Sequence, residues 1–306
     1  MTPAPTPRRP DPRGQPVPVV LDTDIATDVD DLLALLMVLG SPELRLVGVT
    51  ATYGDTLLRA RIVRQVLHWL GVEVPIGAGP RRTLSGRDIW YAGHEIDQLR
   101  PEPPARGFLP VDATDLLARL GREHRGDLHV IGVAPQTTIA TALRDHPSLL
   151  DDLAGLVIMG GRFDGLPGPE HNIRCDVTAA AMLVDAGLPT TFVGLDVTRQ
   201  VRLGRADFPA LAGSREPLSG FVLDVLHQWT SYRDEPFVTP HDPLAVATLT
   251  HPHHFDVVAG SVVVCTDAGQ RHGETSFEPG DGPARVARSL DREALVPILI
   301  DRIGRR

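Results

Sequence analysis

The amino-acid sequence predicts an α/β fold in which an open, mostly parallel, doubly wound (Rossmann-like) sheet carries helices on both faces. Short apolar runs alternate with longer amphipathic runs from Val17 onward, which is the pattern of repeated β-α-β units. The apolar runs are nearly continuous, as expected for strands of a parallel sheet that is covered on both faces. Hydrophobic residues make up 42% of the 306-residue chain, so a large buried core is available.

The N-terminal part of the chain predicts the first β-α units and a long loop. The predicted elements are a strand at 17–22, a helix at 31–39 that ends at Gly40, a strand at 44–51, a helix at 56–71 and a short strand in "VPIGAG". Residues 80–110 are rich in turn-forming residues, and regular alternation resumes after them. We therefore expect a long functional loop here and not a linker between domains.

The same alternation continues to the C-terminus. Helices are predicted at 112–124, 136–144, 177–187, 217–233, 242–250 and 291–303, and strands at 128–133, 153–161, 190–196 and in "VVAGSVVVC". One domain over residues 17–306 is favoured, behind a tail at 1–16 that is rich in proline and arginine and is expected to be disordered. In such sheets ligands bind at the carboxyl ends of the strands.

The composition excludes several classes of function. A net charge of −9 and a pI near 5.7 argue against nucleic acid as a partner, because binding it requires a clustered basic surface. The chain contains no lysine, so all 30 of its basic residues are arginines. Enzymes that depend on a Walker lysine or a Schiff-base lysine are therefore excluded.

The sequence also predicts the cellular location. No apolar run approaches the length of a membrane span, and the first sixteen residues lack the apolar stretch of a signal peptide. Cys175 and Cys265 fit no metal-binding spacing, and we expect free thiols in a reducing environment. The expectation is a cytoplasmic protein without a membrane partner.

Five aspartates lie close together in "VVLDTDIATDVDDLLALL", between the first predicted strand and the first predicted helix. They are Asp22, Asp24, Asp28, Asp30 and Asp31. A helix N-cap explains either Asp30 or Asp31, because a carboxylate there accepts backbone N–H bonds. It does not explain Asp22 and Asp24 at the end of a buried strand, where uncompensated charge is costly. A bound cation would resolve the conflict.

The residue types around this turn indicate which cation is expected. Carboxylate oxygens without nearby cysteines or paired histidines favour a hard ion, calcium or magnesium, over zinc. An EF-hand loop is excluded, because no register of the segment supplies both the donor at position five and the glycine at position six. The geometry is instead that of a strand-to-helix turn that directs several carboxylates to one point.

Two known families place a DxD pattern after an apolar strand. "VVLDTDIAT" is similar to the start of the haloacid dehalogenase-like phosphatases, which are magnesium-dependent. That family usually also needs a basic residue, commonly lysine, and a later acidic pair. This chain has no lysine and carries its acidic pair, Asp30 and Asp31, immediately downstream.

A second set of short motifs extends along the chain: "DTDIATDVDDLLALL", then "GVAPQTTIATAL", "EHNIRCDVTAA", "VGLDVT", "PHDPLAVA" and "VARSLDREAL". The first resembles the N-terminal signature of the inosine-uridine-preferring nucleoside hydrolase family, and the others follow in that family's order, so the chain resembles this family more closely. The resemblance covers essentially everything after the tail. It implies the nucleoside hydrolase type of the α/β fold, a Ca²⁺ cofactor, and hydrolysis of a ribonucleoside, or a related N-riboside, to ribose and a free base.

The resemblance also implies catalytic and metal-binding roles. Asp24 would be the general base and would also touch calcium. Asp31, Asp242 and the backbone carbonyl of Thr137 would complete the metal site. His241 would approach the leaving base as a general acid, although a histidine at a helix start that bonds only to nearby carbonyls is the simpler alternative.

A second group of residues would bind the substrate. Asp30 would bind a ribose hydroxyl, and Glu170 and Asn172, the only asparagine in the chain, would hold other sugar hydroxyls. Asp164 stands at the offset where the family often has another sugar-binding asparagine. His94 lies in the long loop where the family often carries an active-site histidine, and a surface role is the alternative.

Several departures from the family pattern concern the substrate. The turn "DIATDVDD" is two residues longer than the family's D-P-G-x-D-D, so the role of Asp28 is unassigned. His171 replaces the usual phenylalanine. Trp229 and Tyr232 are spaced to stack a base or to pack in the core. A catalytically silent nucleoside- or sugar-binding protein is thus a third hypothesis, and the resemblance implies a homodimer or homotetramer.

Overall fold

A computed structural model describes residues 14–100 and 107–305, which form ten strands and twelve α-helices. The strands are β1 (Val17–Thr23), β2 (Leu44–Ala51), β3 (Ile76–Ala78), β4 (Val111–Asp112), β5 (Leu128–Gly132), β6 (Leu153–Met159), β7 (Thr190–Val193), β8 (Phe255–Val264), β9 (Thr275–Pro279) and β10 (Ala284–Leu290). All ten belong to one sheet in the order β4-β3-β2-β1-β5-β6-β7-β10-β8-β9.

The helices connect the strands and complete the chain. They are α1 (Asp30–Leu39), α2 (Thr56–Trp69), α3 (Ala113–Glu123), α4 (Thr137–Asp145), α5 (Leu149–Asp152), α6 (His171–Cys175), α7 (Val177–Asp185), α8 (Leu195–Thr198), α9 (Pro209–Gly213), α10 (Pro217–Arg233), α11 (His241–Thr250) and α12 (Arg292–Gly304). Within the described part of the chain, no helix is both long enough and apolar enough to span a bilayer.

The sheet is open and mostly parallel, as predicted. Strand β1 lies at its centre and pairs in parallel with β2 and β5. The parallel arrangement continues through β6 and β7 to β10, and only the pairings of β8 with β10 and β9 are antiparallel. The carboxyl ends of the central strands therefore lie along one edge of the sheet.

The core occupies both faces of the sheet. Val19 and Leu21 of β1 belong to the hydrophobic cluster that contains α1, whereas Val20 belongs to the opposite cluster, which contains residues of α3. This alternation follows from the two-residue period of a strand. Nine of the ten residues of α1 are buried, so this helix is fixed in the middle of the molecule.

Most predicted elements are present, and the differences have local causes. Strand β6 ends at Met159, before Gly161 with φ of 86°, and β7 ends at Val193, before Gly194 precedes α8. Helix α6 and strand β9 were not predicted, because five residues are too few for a clear periodicity. The predicted tail lies outside the described residues up to position 13, as do residues 101–106 of the predicted loop.

Gly40 provides a test of the packing between α1 and α12. A Cβ atom at this position would overlap the backbone carbonyl of Arg302, whose guanidinium also donates to the Gly40 carbonyl oxygen at 3.2 Å. We expect Gly40→Ala to lower the free energy of unfolding by about 1–3 kcal/mol. A Cβ on Gly220 in α10 would meet no atom, so Gly220→Ala should instead stabilise by about 0.5–1 kcal/mol. Urea denaturation measures both, and equal changes would contradict this account.

Candidate active site

A cavity of about 550 Å³ opens at the carboxyl ends of the central strands. Asp24 enters it directly after β1, Val133 directly after β5 and Met159 from the end of β6. Helices α1, α6, α10 and α11 supply other parts of its wall. The volume is that of a typical small-molecule site, and the position is the one that the fold class predicts.

Three carboxylates form a tight cluster at the floor of the cavity. Asp30, Asp31 and Asp242 each place an oxygen within 4.8 Å of the others, and all three are buried. Asp30 and Asp31 begin α1, whereas Asp242 comes from the first turn of α11, more than 200 positions later. Oxygen donors alone, with no sulfur or imidazole in the group, suit a hard divalent cation.

The end of β1 holds Asp31 in place. One Asp31 oxygen, Oδ1, accepts hydrogen bonds from the Thr23 hydroxyl and from the backbone N–H of Asp24 at 3.1 Å. The N-cap explanation for Asp30 or Asp31 is wrong, because Val29 occupies the cap position and no side chain caps α1. Asp30 and Asp31, in the first turn of this helix, therefore line the cavity and do not act as its N-cap.

The cluster is electrostatically unfavourable without a cation. Burial raises the pKa values of Asp30, Asp31 and Asp242, and the neighbouring carboxylates raise them further. The same two causes raise the pKa of Asp28, which lines the cavity beside them. A divalent cation would remove both costs at once, so the residues present fit the metal that the sequence implies.

Arg59 is the buried cation that faces this group. It is 1% exposed and lies 4.0 Å from the carboxylate of Asp24. Its guanidinium also donates to the backbone carbonyls of Asp24, Ile25 (2.7 Å) and Tyr53 (2.8 Å). Burial raises the pKa of Asp24, and the Arg59 guanidinium opposes that shift. Arg59 thus both balances charge and fixes the backbone of the turn.

Sequence reasoning missed Arg59, although a signal was present. Helix α2 buries Arg59 together with Ile62, Val63 and Val66, which is the i, i+3, i+4, i+7 spacing of a core-facing stripe. An arginine on an otherwise apolar stripe must meet buried acceptors, because an unpaired buried charge is very costly.

Asp22 lies below the cavity. Its Oδ1 accepts a hydrogen bond from the Thr50 hydroxyl at 2.6 Å, which links β1 to β2. Its Oδ2 is buried and bonds to none of the described residues. Burial raises the pKa of Asp22 to about 8.

Glu170 and Asn172 form a polar wall on one side. Glu170 precedes α6 and accepts from the backbone N–H groups of Asn172 (2.8 Å) and Ile173 (3.0 Å). The Asn172 amide donates to the carbonyls of Val133 (3.1 Å) and Met159 (3.2 Å), at the ends of β5 and β6. These bonds fix both side chains and leave the Asn172 Oδ1 as an acceptor for a ligand.

His241 lines the cavity beside Asp242. Its Nδ1 lies 2.7 Å from the Thr198 hydroxyl. Burial and, secondly, the Arg199 guanidinium lower the pKa of His241 to about 3, so the imidazole is neutral at physiological pH. When the Thr198 hydroxyl donates to Nδ1, the ring proton resides on Nε2, which can then donate to a ligand.

Three predicted site residues lie apart from the cavity wall. Thr137 begins α4, and its hydroxyl donates to Asp176 at 2.7 Å. Asp164 is exposed and pairs with Arg162 at 3.0 Å. His94 is half-buried and bonds through Nε2 to the Thr27 carbonyl at 2.9 Å. The structure therefore does not bring Asp164 to the cavity, and His94 reaches it only through the turn.

Asp176 is another residue that sequence reasoning did not select. It is fully buried and accepts from Thr137 and from the N–H groups of Leu84 (2.7 Å), Ser85 (2.9 Å) and Ala179 (3.2 Å). It joins the long loop to the starts of α4 and α7.

Aromatic rings form the outer wall of the cavity. Trp229 lines it and stacks on Tyr232 at 5.4 Å between ring centroids, with Tyr232 largely exposed. Trp90 from the long loop also lines it and meets His171 edge-on at 5.5 Å. Trp229 therefore combines core packing with a place in the cavity. Cys175 is buried and Cys265 half-buried, and both are free thiols.

The fold and cavity define an α/β enzyme whose carboxylate cluster suits a hard cation and whose walls offer hydroxyl-binding and ring-binding groups. The chain belongs to the inosine-uridine preferring nucleoside hydrolase family, whose model matches residues 19–297. Its reaction is accordingly hydrolysis of the N-glycosidic bond of a nucleoside. The family membership and the fold are as the sequence predicts, and the phosphatase alternative is set aside.

Relatives and solved structures agree with this assignment. The pyrimidine-specific ribonucleoside hydrolase RihA of Klebsiella pneumoniae subsp. pneumoniae is 31% identical, over 94% of this chain and 98% of its own length. A plant nucleoside hydrolase, PpNRh1, superposes with a TM-score of 0.83 at 26% identity, covering 95% of this chain and 100% of its own. A purine-preferring ribonucleoside hydrolase from Gardnerella vaginalis gives 0.83 at 27% identity, covering 94% and 98%.

Replacing Arg59 tests its role in the turn. We expect Arg59→Met to lower the free energy of unfolding by about 3–5 kcal/mol, because it leaves Asp24 and several carbonyls without their buried donor. The loss should be smaller in an Asp24→Asn background, where one of the charges is already absent. Arg302→Met removes another buried arginine, which pairs with Glu43, and is the control. An Arg59→Met loss that does not depend on Asp24 would refute the pairing.

The raised carboxyl pKa values predict a dependence of stability on pH. A carboxyl whose pKa is raised on folding stabilises the protein while protonated, and this contribution is lost as the pH rises through the folded value. For Asp22 the interval runs from 3.8 to about 8. With EDTA present, the Tm should therefore fall across this interval, less steeply in Asp22→Asn. Added Ca²⁺ should reduce the fall, because it favours ionised carboxylates. A Tm that rises with pH in EDTA would contradict this.

Proposed function

We propose that the chain hydrolyses ribonucleosides or related N-ribosides in a Ca²⁺-dependent reaction, with Asp24 as the general base. The observation that carries the proposal is the buried carboxylate cluster of Asp30, Asp31 and Asp242, next to Asp24. We propose Asp24, Asp31, Asp242 and the Thr137 carbonyl as the calcium ligands. The close approach of Asp30 to Asp31 and Asp242 supports a place for Asp30 at the same point, where ribose hydroxyls would also meet the ion.

The side chains would divide the chemistry among them. When bound, Ca²⁺ would make a coordinated water more acidic and would attract the ribose hydroxyls. Asp24 accepts the proton of the attacking water. Glu170 and Asn172, fixed by their backbone bonds, hold sugar hydroxyls while positive charge develops on the ribose ring.

His241 completes the proposal on the leaving-group side. Its position beside Asp242 in the cavity supports a hydrogen bond from Nε2 to the departing heterocycle. Thr198 holds the ring in the orientation this requires. Trp229 and Trp90 offer flat surfaces to the same heterocycle. The named relatives differ in base preference, so we assign none to this chain from them.

Location and assembly are further proposals. We propose a cytoplasmic protein, which the two free thiols support. We also propose a homodimer or homotetramer, on the basis of the family resemblance. Light scattering of the purified protein would distinguish either assembly from a monomer.

A nucleoside panel tests the function. Inosine, uridine, adenosine and cytidine are incubated with the protein in Ca²⁺ or EDTA, and reducing sugar is measured. We expect turnover in Ca²⁺, its loss in EDTA, and a decrease of at least about 10²-fold in kcat for Asp24→Asn. Asp164→Asn, at an exposed acid outside the cavity wall, is the matched control and should retain activity.

The silent binding protein and the phosphatase would each be recognised by a different measurement. Calorimetric binding of nucleosides without turnover would identify a silent binding protein. Phosphate release from phosphomonoesters without base release would overturn the hydrolase assignment.

A further inference from the structure

The active-site cavity has arginines at its mouth in addition to acids at its floor. Arg174, Arg199 and Arg233 all line it, and all three are exposed. A neutral nucleobase can be bound by neutral donors to its carbonyl and ring nitrogens. Several guanidiniums around one ligand site are instead typical of carboxylate or phosphate recognition.

Arg199 lies on the leaving-group side of the cavity. It directly follows Thr198, the residue that bonds to Nδ1 of His241. Arg199 and His241 both line the cavity. Within residues 14–100 and 107–305, the backbone N–H of Arg199 donates to the Leu195 carbonyl, but its guanidinium has no hydrogen-bond or ion-pair partner, so the side-chain donors are available to a ligand.

Arg233 lies on the same side. It comes four residues after Trp229 on α10, and its guanidinium carbon is 5.8 Å from the centre of the Trp229 ring. Its pairing with Glu235 is long, at 3.8 Å, and both side chains are about half exposed, so the pair is weak. A ligand ring against Trp229 would therefore have this guanidinium beside it.

Arg202 adds a third guanidinium close to the cavity wall. The Arg202 guanidinium lies 4.3 Å from the ring centre of Phe237, which is part of the cavity wall. Arg199 and Arg233 thus line the cavity together with His241 and Trp229, and Arg202 packs against the Phe237 ring of its wall. Of the described arginines that line the cavity, Arg174 alone lies on the sugar side, four residues after Glu170.

We propose that the preferred substrate is an N-riboside whose leaving heterocycle carries a carboxylate, and that Arg199 and Arg233 bind this carboxylate. The inference rests on the proposed function and specifies its substrate class. The reaction is a hydrolysis: the bond from C1′ to the ring nitrogen breaks and the water oxygen bonds to C1′. Asp24 takes one proton from the water and later releases it to solvent, and the departing nitrogen receives one proton from solvent. The carboxylate is unchanged. The same guanidiniums stabilise the electron pair that leaves with the heterocycle.

The test compares orotidine with uridine, which differ by one ring carboxylate, and includes uridine 5′-monophosphate as a phosphate-bearing probe. We expect kcat/KM for orotidine to exceed that for uridine by about tenfold or more. Arg199→Met and Arg233→Met should each lower the orotidine-to-uridine ratio by about tenfold. Arg205→Met, at an exposed arginine outside the cavity wall, is the matched control and should preserve the ratio.

Each remaining outcome is decisive. Uridine turnover equal to or faster than orotidine turnover overturns the inference and leaves the hydrolase assignment intact. A preference for the 5′-monophosphate that Arg174→Met abolishes also overturns it, because the anion would then belong to the sugar. Absence of turnover of every riboside contradicts the proposed function itself. Thermal melting verifies that each variant is folded, as expected for exposed positions.

Discussion

Repulsion among buried carboxylates at the end of β1 is the constraint on which the site depends. The fold places Asp24, Asp30 and Asp31 at the point where the central strand, the most buried helix and the first turn of α11 meet. Water is largely excluded there, so solvent cannot screen the charges. Three fixed groups stabilise these carboxylates: the Arg59 guanidinium lies beside Asp24, and the Thr23 hydroxyl and the backbone N–H of Asp24 donate to Asp31.

The longer turn after Asp24 is stabilised from outside itself. Ala26 adopts φ of 101°, a conformation that costs energy for a residue with a side chain. The Gln98 amide donates to the Ala26 carbonyl at 2.7 Å, His94 bonds to the next carbonyl, and Arg59 reaches the turn from α2. The lengthened turn is therefore hydrogen-bonded to Arg59 of α2 and to Gln98 and His94 of the long loop. His94 thus contacts the turn that borders the cavity, although it does not line the cavity itself.

Sequence patterns predicted the sheet, its helices and the family because these depend on apolar periodicity and on short motifs with fixed spacing. The aspartates proposed as metal ligands and the Glu170 and Asn172 pair were selected for the same reason, and the structure places them around one cavity. Arg59 and Asp176 were not predicted, because their roles arise from contacts between distant segments. Asp164 was selected by its offset alone, and its neighbour Arg162 holds it at the surface.

The junction at Asp176 has a consequence for how such an enzyme can diversify. Its carboxylate anchors the long loop at Leu84 and Ser85, directly before the part that supplies Trp90 to the cavity. Changes of length or sequence beyond that anchor can reshape the recognition surface without disturbing α4 or α7. The buried carboxylate of Asp176 therefore lies at the border between the fixed floor of the cavity and the loop that supplies Trp90 to its outer wall.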